Sequence, residues 1–130
     1  MQEFPTTGIV IRPHKASYDK CINASKGNVM KIDRSRSADN EWPGWLWCID
    51  KNGLASWVPE NYLHIRQETG TLLCDYDATE LSVNLDDRLT IIKHEAGWYW
   101  CKDTNEQYGW IPAENITFGN KSSKASDEGV

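Results

Sequence analysis

Gly44-Trp45-Leu46-Trp47-Cys48 recurs as Gly97-Trp98-Tyr99-Trp100-Cys101, 53 residues further along the chain. The same offset carries Trp57-Val58-Pro59-Glu60-Asn61-Tyr62-Leu63 onto Trp110-Ile111-Pro112-Ala113-Glu114-Asn115-Ile116. Upstream, Thr7-Gly8-Ile9-Val10-Ile11 matches Thr69-Gly70-Thr71-Leu72-Leu73 at an offset of 62, so the first copy holds nine extra residues. Three of these lie between His14 and Asn28 when compared with Tyr76 to Asp87, and six lie between Met30 and Gly44. Insertions of this kind belong in loops. Self-similarity over most of the chain means that the fold is the fold of the repeated unit.

Within each copy, β-branched and aromatic alternation marks short strands, and no segment sustains a helical period. The predicted strands are 9–12, 29–33, 45–49, 55–58 and 62–65 in the first copy, and 71–75, 88–93, 98–102, 108–111 and 115–118 in the second. Five short strands per copy predict an all-β protein of two small five-stranded barrels in tandem. The expected division is an N-terminal extension at 1–7, a first domain at 8–65, a short linker at 66–70, a second domain at 71–118 and a disordered tail at 119–130. The tail contains nothing to bury.

In the Gly-Trp-x-Trp-Cys strands, alternation puts Trp45 and Trp47 on one face and Leu46 and Cys48 on the other. A strand whose Leu and Cys point inward leaves Trp45 and Trp98 for an exposed aromatic surface. Trp47, Trp57, Trp100 and Trp110 are assigned to covering a thin core, since barrels of about 50 residues bury only about 60% of their unfolded surface.

Composition narrows the function classes. The 130 residues are 39% hydrophobic and 25% charged, with seven tryptophans and a net charge of −5. Residues 1–66 carry nine Lys and Arg against seven Asp and Glu, and residues 67–130 carry five against twelve. The second half cannot offer the basic face that phosphate backbones require and the first does so only weakly, so no nucleic-acid partner is expected. No stretch approaches the roughly 20 apolar residues that cross a bilayer, and 1–7 lacks the features of a signal peptide, so a cytoplasmic protein without a membrane partner is expected. Cys21, Cys48, Cys74 and Cys101 lack the close pair spacing of zinc ligands and read as free thiols, with no metal and no cofactor.

The second copy resembles a Src homology 3 (SH3) domain from end to end. The residues that carry the likeness are Leu72-Leu73-Cys74-Asp75-Tyr76-Asp77-Ala78, Leu81-Ser82-Val83, Leu89-Thr90-Ile91-Ile92, Gly97-Trp98 and Gly109-Trp110-Ile111-Pro112. The first copy, through Glu41 to Cys48 and Ser56 to Leu63, resembles the variant SH3 type found in bacterial proteins. The resemblance implies a non-catalytic module that grips an extended, proline-containing peptide or a protein between aromatic rings.

Carried over position by position, the resemblance implies groove tryptophans at Trp45 and Trp98 and groove prolines at Pro59 and Pro112. Tyr62 stands at the family's tyrosine of the final one-turn helix, and Asn115 replaces it in the second copy. The two tyrosines of the first loop become Arg12 and His14 in one copy and Cys74 and Tyr76 in the other. Asn61 completes the first set, and Tyr18 and Trp42 add rings from its longer loops. Asp75, Asp77 and Glu80 stand where the family places carboxylates for a ligand Arg or Lys.

Catalysis finds little support, because His14, His64 and His94 do not repeat in register and no phosphate loop or nucleophile motif is present. The alternatives are a small cytoplasmic enzyme, and a cell-wall-binding module, which would need export. A linker of five residues spans about 17 Å at most. It therefore predicts a monomer with packed domains, whose two incomplete grooves form one composite surface.

Overall fold

The computed structural model describes residues 6–38 and 42–118. The expectations for 1–5, for Glu41 and for the tail at 119–130 lie outside them. The described chain is all-β, apart from one five-residue helix and two 3-10 turns. Among the described residues no helix is long and apolar enough to cross a membrane.

The strands in chain order are β1 (Thr6–Val10), β2 (Asn23–Ala24), β3 (Val29–Asp33), β4 (Trp45–Ile49), β5 (Ala55–Pro59), β6 (Leu63–Arg66), β7 (Thr69–Leu72), β8 (Tyr76–Asp77), β9 (Arg88–Glu95), β10 (Trp98–Lys102), β11 (Tyr108–Pro112) and β12 (Ile116–Phe118). A short helix α1 (Arg34–Ala38) follows β3, and 3-10 turns cover Glu60–Tyr62 and Ala113–Asn115. Two five-stranded antiparallel sheets result, in the orders β5-β4-β3-β7-β6 and β11-β10-β9-β1-β12, with a small β2-β8 pair.

The order of strands corrects the expected division. β7, the first strand of the second copy, lies between β3 and β6 of the first copy. β1, the first strand of the first copy, lies between β9 and β12 of the second. Among the described residues, those of Tyr18–Thr79 accordingly form one compact unit, the continuous unit, and those of Met1–Ser17 with Glu80–Val130 form the other, the split unit. The boundaries 8–65 and 71–118 describe the repeat in sequence and not the compact units. Thr6 and Thr7, assigned to an extension, are paired residues of β1.

The cause sits in the segment read as a linker. Arg66 and Thr69 are register partners, so Gln67 and Glu68 form a two-residue hairpin turn, with Gln67 at φ +56°. A turn this short returns the chain antiparallel beside β6. β7 therefore fills the place beside β3 that the chain's own first strand would take, and β1 completes the other sheet.

Both sheets accept the foreign strand because the repeat makes the two slots alike. Gly8 lies opposite Leu89 and Phe118, and Gly70 lies opposite Met30 and Ile65. A Cβ at Gly8 would come within 2.6 Å of the Ile116 side chain, and one at Gly70 within 3.1 Å of Leu63. The split unit's core is Val10, Leu81, Val83, Leu89, Ile91, Cys101, Ile111 and Ile116. In the continuous unit Leu72, Ile22, Met30, Ile32, Cys48, Val58 and Leu63 are buried at the corresponding positions. Each large side chain of this kind contributes about 1.5–3 kcal/mol when fully buried.

The six-residue surplus holds α1, which sequence periodicity missed because five residues are too few to show a period. At the same place in the split unit β9 and β10 are joined by Ala96 and Gly97, at φ +44° and +89°.

Candidate ligand-binding site

In the continuous unit β4 and β5 run antiparallel with Trp45 opposite Pro59 and Trp47 opposite Trp57. The following 3-10 turn is tied back by the Glu60 N–H donating to the Gly44 carbonyl at 2.7 Å. That turn presents Tyr62, whose ring meets Tyr76 of β8 edge-on at 5.5 Å. The Tyr76 hydroxyl donates to the Trp57 carbonyl at 2.7 Å. The Trp47 and Trp57 rings lie 5.0 Å apart, and Tyr18 tilts against Trp47 at 6.4 Å. Tyr62, Tyr76, Trp57, Trp47 and Tyr18 thus form one line of contacts. Arg36 of α1 lies over it, with its guanidinium 4.2 Å from the Trp47 ring centre and 5.7 Å from that of Trp57. Such contacts are worth about 0.5–1 kcal/mol at exposed sites.

The split unit is arranged differently. Trp98 lies opposite Pro112, and the Ala113 N–H donates to the Gly97 carbonyl in the same kind of tie. The His14 ring stands edge-on to Trp98 at 5.6 Å, and its Nε2 lies 3.0 Å from Glu80 Oε1. The same carboxylate oxygen accepts from the Ser17 N–H and hydroxyl, at 2.9 and 2.8 Å. The Glu80 side chain is 3% exposed. Asn115 is buried, and its Nδ2 donates to the Pro13 carbonyl.

The strand exchange therefore regroups the candidate residues. His14 leaves the first-copy set and joins Glu80, Trp98, Pro112 and Asn115. Tyr76 and Asp77 leave the second-copy set and join Tyr18, Trp42, Trp45, Pro59, Asn61 and Tyr62. Four of the candidate positions, Trp45, Pro59, Tyr62 and Tyr76, come together in the continuous unit, whereas the sequence divided them between two copies.

Exposure corrects the reading of the rings. Trp45 and Trp98 are 5% and 8% exposed, so neither is the open anchor expected of it. Each pairs with a buried proline at the strand end where the 3-10 turn is tied down. Trp47, Trp57 and Trp100, assigned to the core, are only half-buried, and Trp110 alone of that group is buried. Trp100 stacks on Tyr108, which is 44% exposed, and also touches Trp110. The alternation that places Trp45 outside the Leu46–Cys48 face places Trp47 there too, so the sequence carried this signal. Arg36 had none.

The neighbouring carboxylates are also engaged, Asp77 within its own loop and Asp75 by a distant one. Asp77 Oδ1 accepts from the Thr79 N–H and hydroxyl, and Asp75 Oδ1 accepts from the Lys26 N–H. Glu80 is therefore not the open carboxylate expected for a ligand cation. Burial pushes the Cys48 and Cys101 thiols up to about 12, which keeps them neutral and unreactive. Among the described residues no three His, Cys, Asp or Glu side chains converge as a metal site requires. Comparison with known proteins gives no family model, no characterised relative and no solved structure that matches the chain.

Proposed function

We propose that the chain is a non-catalytic binding module built on two SH3-like barrels, and that the continuous unit carries its recognition surface. The observation behind this reading is the group of half-exposed rings Tyr62, Trp57, Trp47 and Tyr18, with the buried Tyr76 holding Tyr62 edge-on and tied to the Trp57 carbonyl. A group of half-exposed rings suits an extended ligand, and a proline-containing peptide preformed as a left-handed helix loses little entropy on docking. Asn61 lies in the turn that presents Tyr62 and Asp75 precedes Tyr76 in the chain, both exposed, so a ligand's polar or basic groups can meet them. The split unit has the corresponding tryptophan and proline, but His14 and Ser17 occupy its carboxylate from within. It is assigned the lesser role.

Titration of the labelled protein with an arginine-bearing proline-rich peptide tests this by NMR. Shifts are expected at Tyr62, Asn61 and the Trp47 and Trp57 indoles, with affinity of tens of micromolar, about −6 kcal/mol. Tyr62→Ala should weaken binding by about 1–2 kcal/mol without unfolding the chain. Shifts confined to His14, Trp98 and Trp100 would move the site to the split unit. No shift with any proline-rich sequence would remove the reading.

A further inference from the structure

We propose that Ser37 is a phosphorylation site for an arginine-directed serine kinase, and that its phosphate releases α1 from Trp47. Asp33 and Trp47 are register partners at the end of the β3–β4 ladder. The Ser37 hydroxyl sits between them, donating to the Asp33 carbonyl at 2.7 Å and accepting from the Trp47 N–H at 2.9 Å. One side-chain hydroxyl thus bridges the ladder where its strands part. α1 has only five residues and buries none of them, so it depends on such ties. Its start is held by Asp33 Oδ1 accepting from the Arg36 N–H, and Arg34 donates to the Gln67 carbonyl. Arg34 and Arg36 stand three and one residues before Ser37, two exposed cations for a kinase groove lined with carboxylates.

In the transfer, Ser37 Oγ attacks the γ-phosphorus of magnesium-bound ATP. The new O–P bond forms as the bond to the β-phosphate oxygen breaks, ADP leaves, and the hydroxyl proton passes to the kinase's base. The phosphorylated Oγ has no proton to give Asp33, and the added charge of nearly −2 lies beside the Asp33 carbonyl and carboxylate. The ladder end opens. The phosphate draws the neighbouring Arg36 guanidinium into charge-assisted hydrogen bonds, which outweigh its contact with the rings. Trp47 and Trp57 lose their cover.

The test uses the full chain, magnesium-ATP and the catalytic subunit of the cyclic-AMP-dependent kinase, followed by phosphopeptide mapping and indole NMR. Phosphate at Ser37, a moved Trp47 indole signal and easier quenching of tryptophan fluorescence are expected. Phosphate on Ser35 alone, no incorporation, or Ser37 phosphate with the Trp47 indole unmoved would each overturn the proposal. Arg34→Gln keeps the Ser37 bridge but removes the tie to the Gln67 carbonyl, which eases access to Ser37. Incorporation slowed about tenfold or more, the value of one charged hydrogen bond, is therefore expected and reads the loss of kinase recognition; an unchanged rate also overturns it. Control of ligand binding rests on the function proposed above and is read separately. If Ser37 takes phosphate and uncovers Trp47 while peptide affinity stays constant, the placement of the ligand on Trp47 and Trp57 fails and the modification site stands.

Discussion

Ser56 and Gly109 occupy the same place in the two sheets and solve one problem in two ways. The Ser56 hydroxyl is fully buried and accepts from the Ile22 N–H at 2.9 Å. Gly109 has no side chain, and a Cβ there would meet the Leu81 backbone nitrogen at 2.7 Å. Ser56→Ala leaves a buried N–H without its acceptor and is expected to cost about 1–3 kcal/mol in denaturant unfolding. Gly109→Ala forces backbone apart and should cost a similar 1–3 kcal/mol. The cysteines divide by the same logic of burial. Cys74 is exposed and should react with a disulfide reagent within the mixing phase, while Cys48 and Cys101 should react only on unfolding. Their thiols ionise near 9 in the unfolded chain and near 12 when buried, so the folded state holds more protons between those values. Stability is complete below about pH 9 and should fall as pH rises toward 12, a loss that chemical denaturation at stepped pH will display.

At the scale of elements, the β6–β7 hairpin decides where each first strand goes. Its turn places Gln67 at positive φ, a conformation that costs a side-chain-bearing residue about 1–2 kcal/mol. Gln67→Gly should therefore raise the unfolding free energy by about 1 kcal/mol. Gln67→Pro cannot reach that φ and should disrupt β7 along with the buried Leu72. Ten Gly and Ser residues inserted after Glu68 enlarge the turn to a loop and should cost about 1–2 kcal/mol by closure entropy, with the register of β7 on β3 kept in hydrogen exchange. A linker would have shown no such cost. The sequence missed this hairpin because Arg66-Gln67-Glu68-Thr69 contains none of the Gly, Asn or Asp residues that announce a two-residue turn.

For the molecule as a whole, the exchange makes one unit continuous in the chain and the other not. A fragment spanning 18–79 contains every strand of the β5-β4-β3-β7-β6 sheet and is expected to unfold cooperatively by circular dichroism. Fragments 8–65 and 71–118, cut at the repeat, each lack the strand that the structure places in their sheet. They are expected to fold poorly, or to exchange β1 and β7 and settle into the unexchanged pairing at lower stability. A fragment 8–65 as stable as 18–79 would mean that the hairpin does not determine the pairing.

The sequence by itself determined the all-β class, the repeat, the positions of most strands and the inward place of Leu46, Cys48 and Cys101. These follow from side-chain alternation and turn chemistry, which are local and survive in a one-dimensional reading. It also brought His14, Glu80, Trp98, Tyr62 and Tyr76 forward one by one. Only the tertiary structure decided their company, because the two copies present equivalent glycine slots and equivalent apolar patterns. Thr-Gly-Ile-Val and Thr-Gly-Thr-Leu satisfy either slot, so local pattern cannot choose between them. The choice falls to a two-residue turn held at an unfavourable backbone angle, and with it go the pairing of Tyr62 with Tyr76, the closure of His14 on Glu80, and the burial of Trp45 and Trp98.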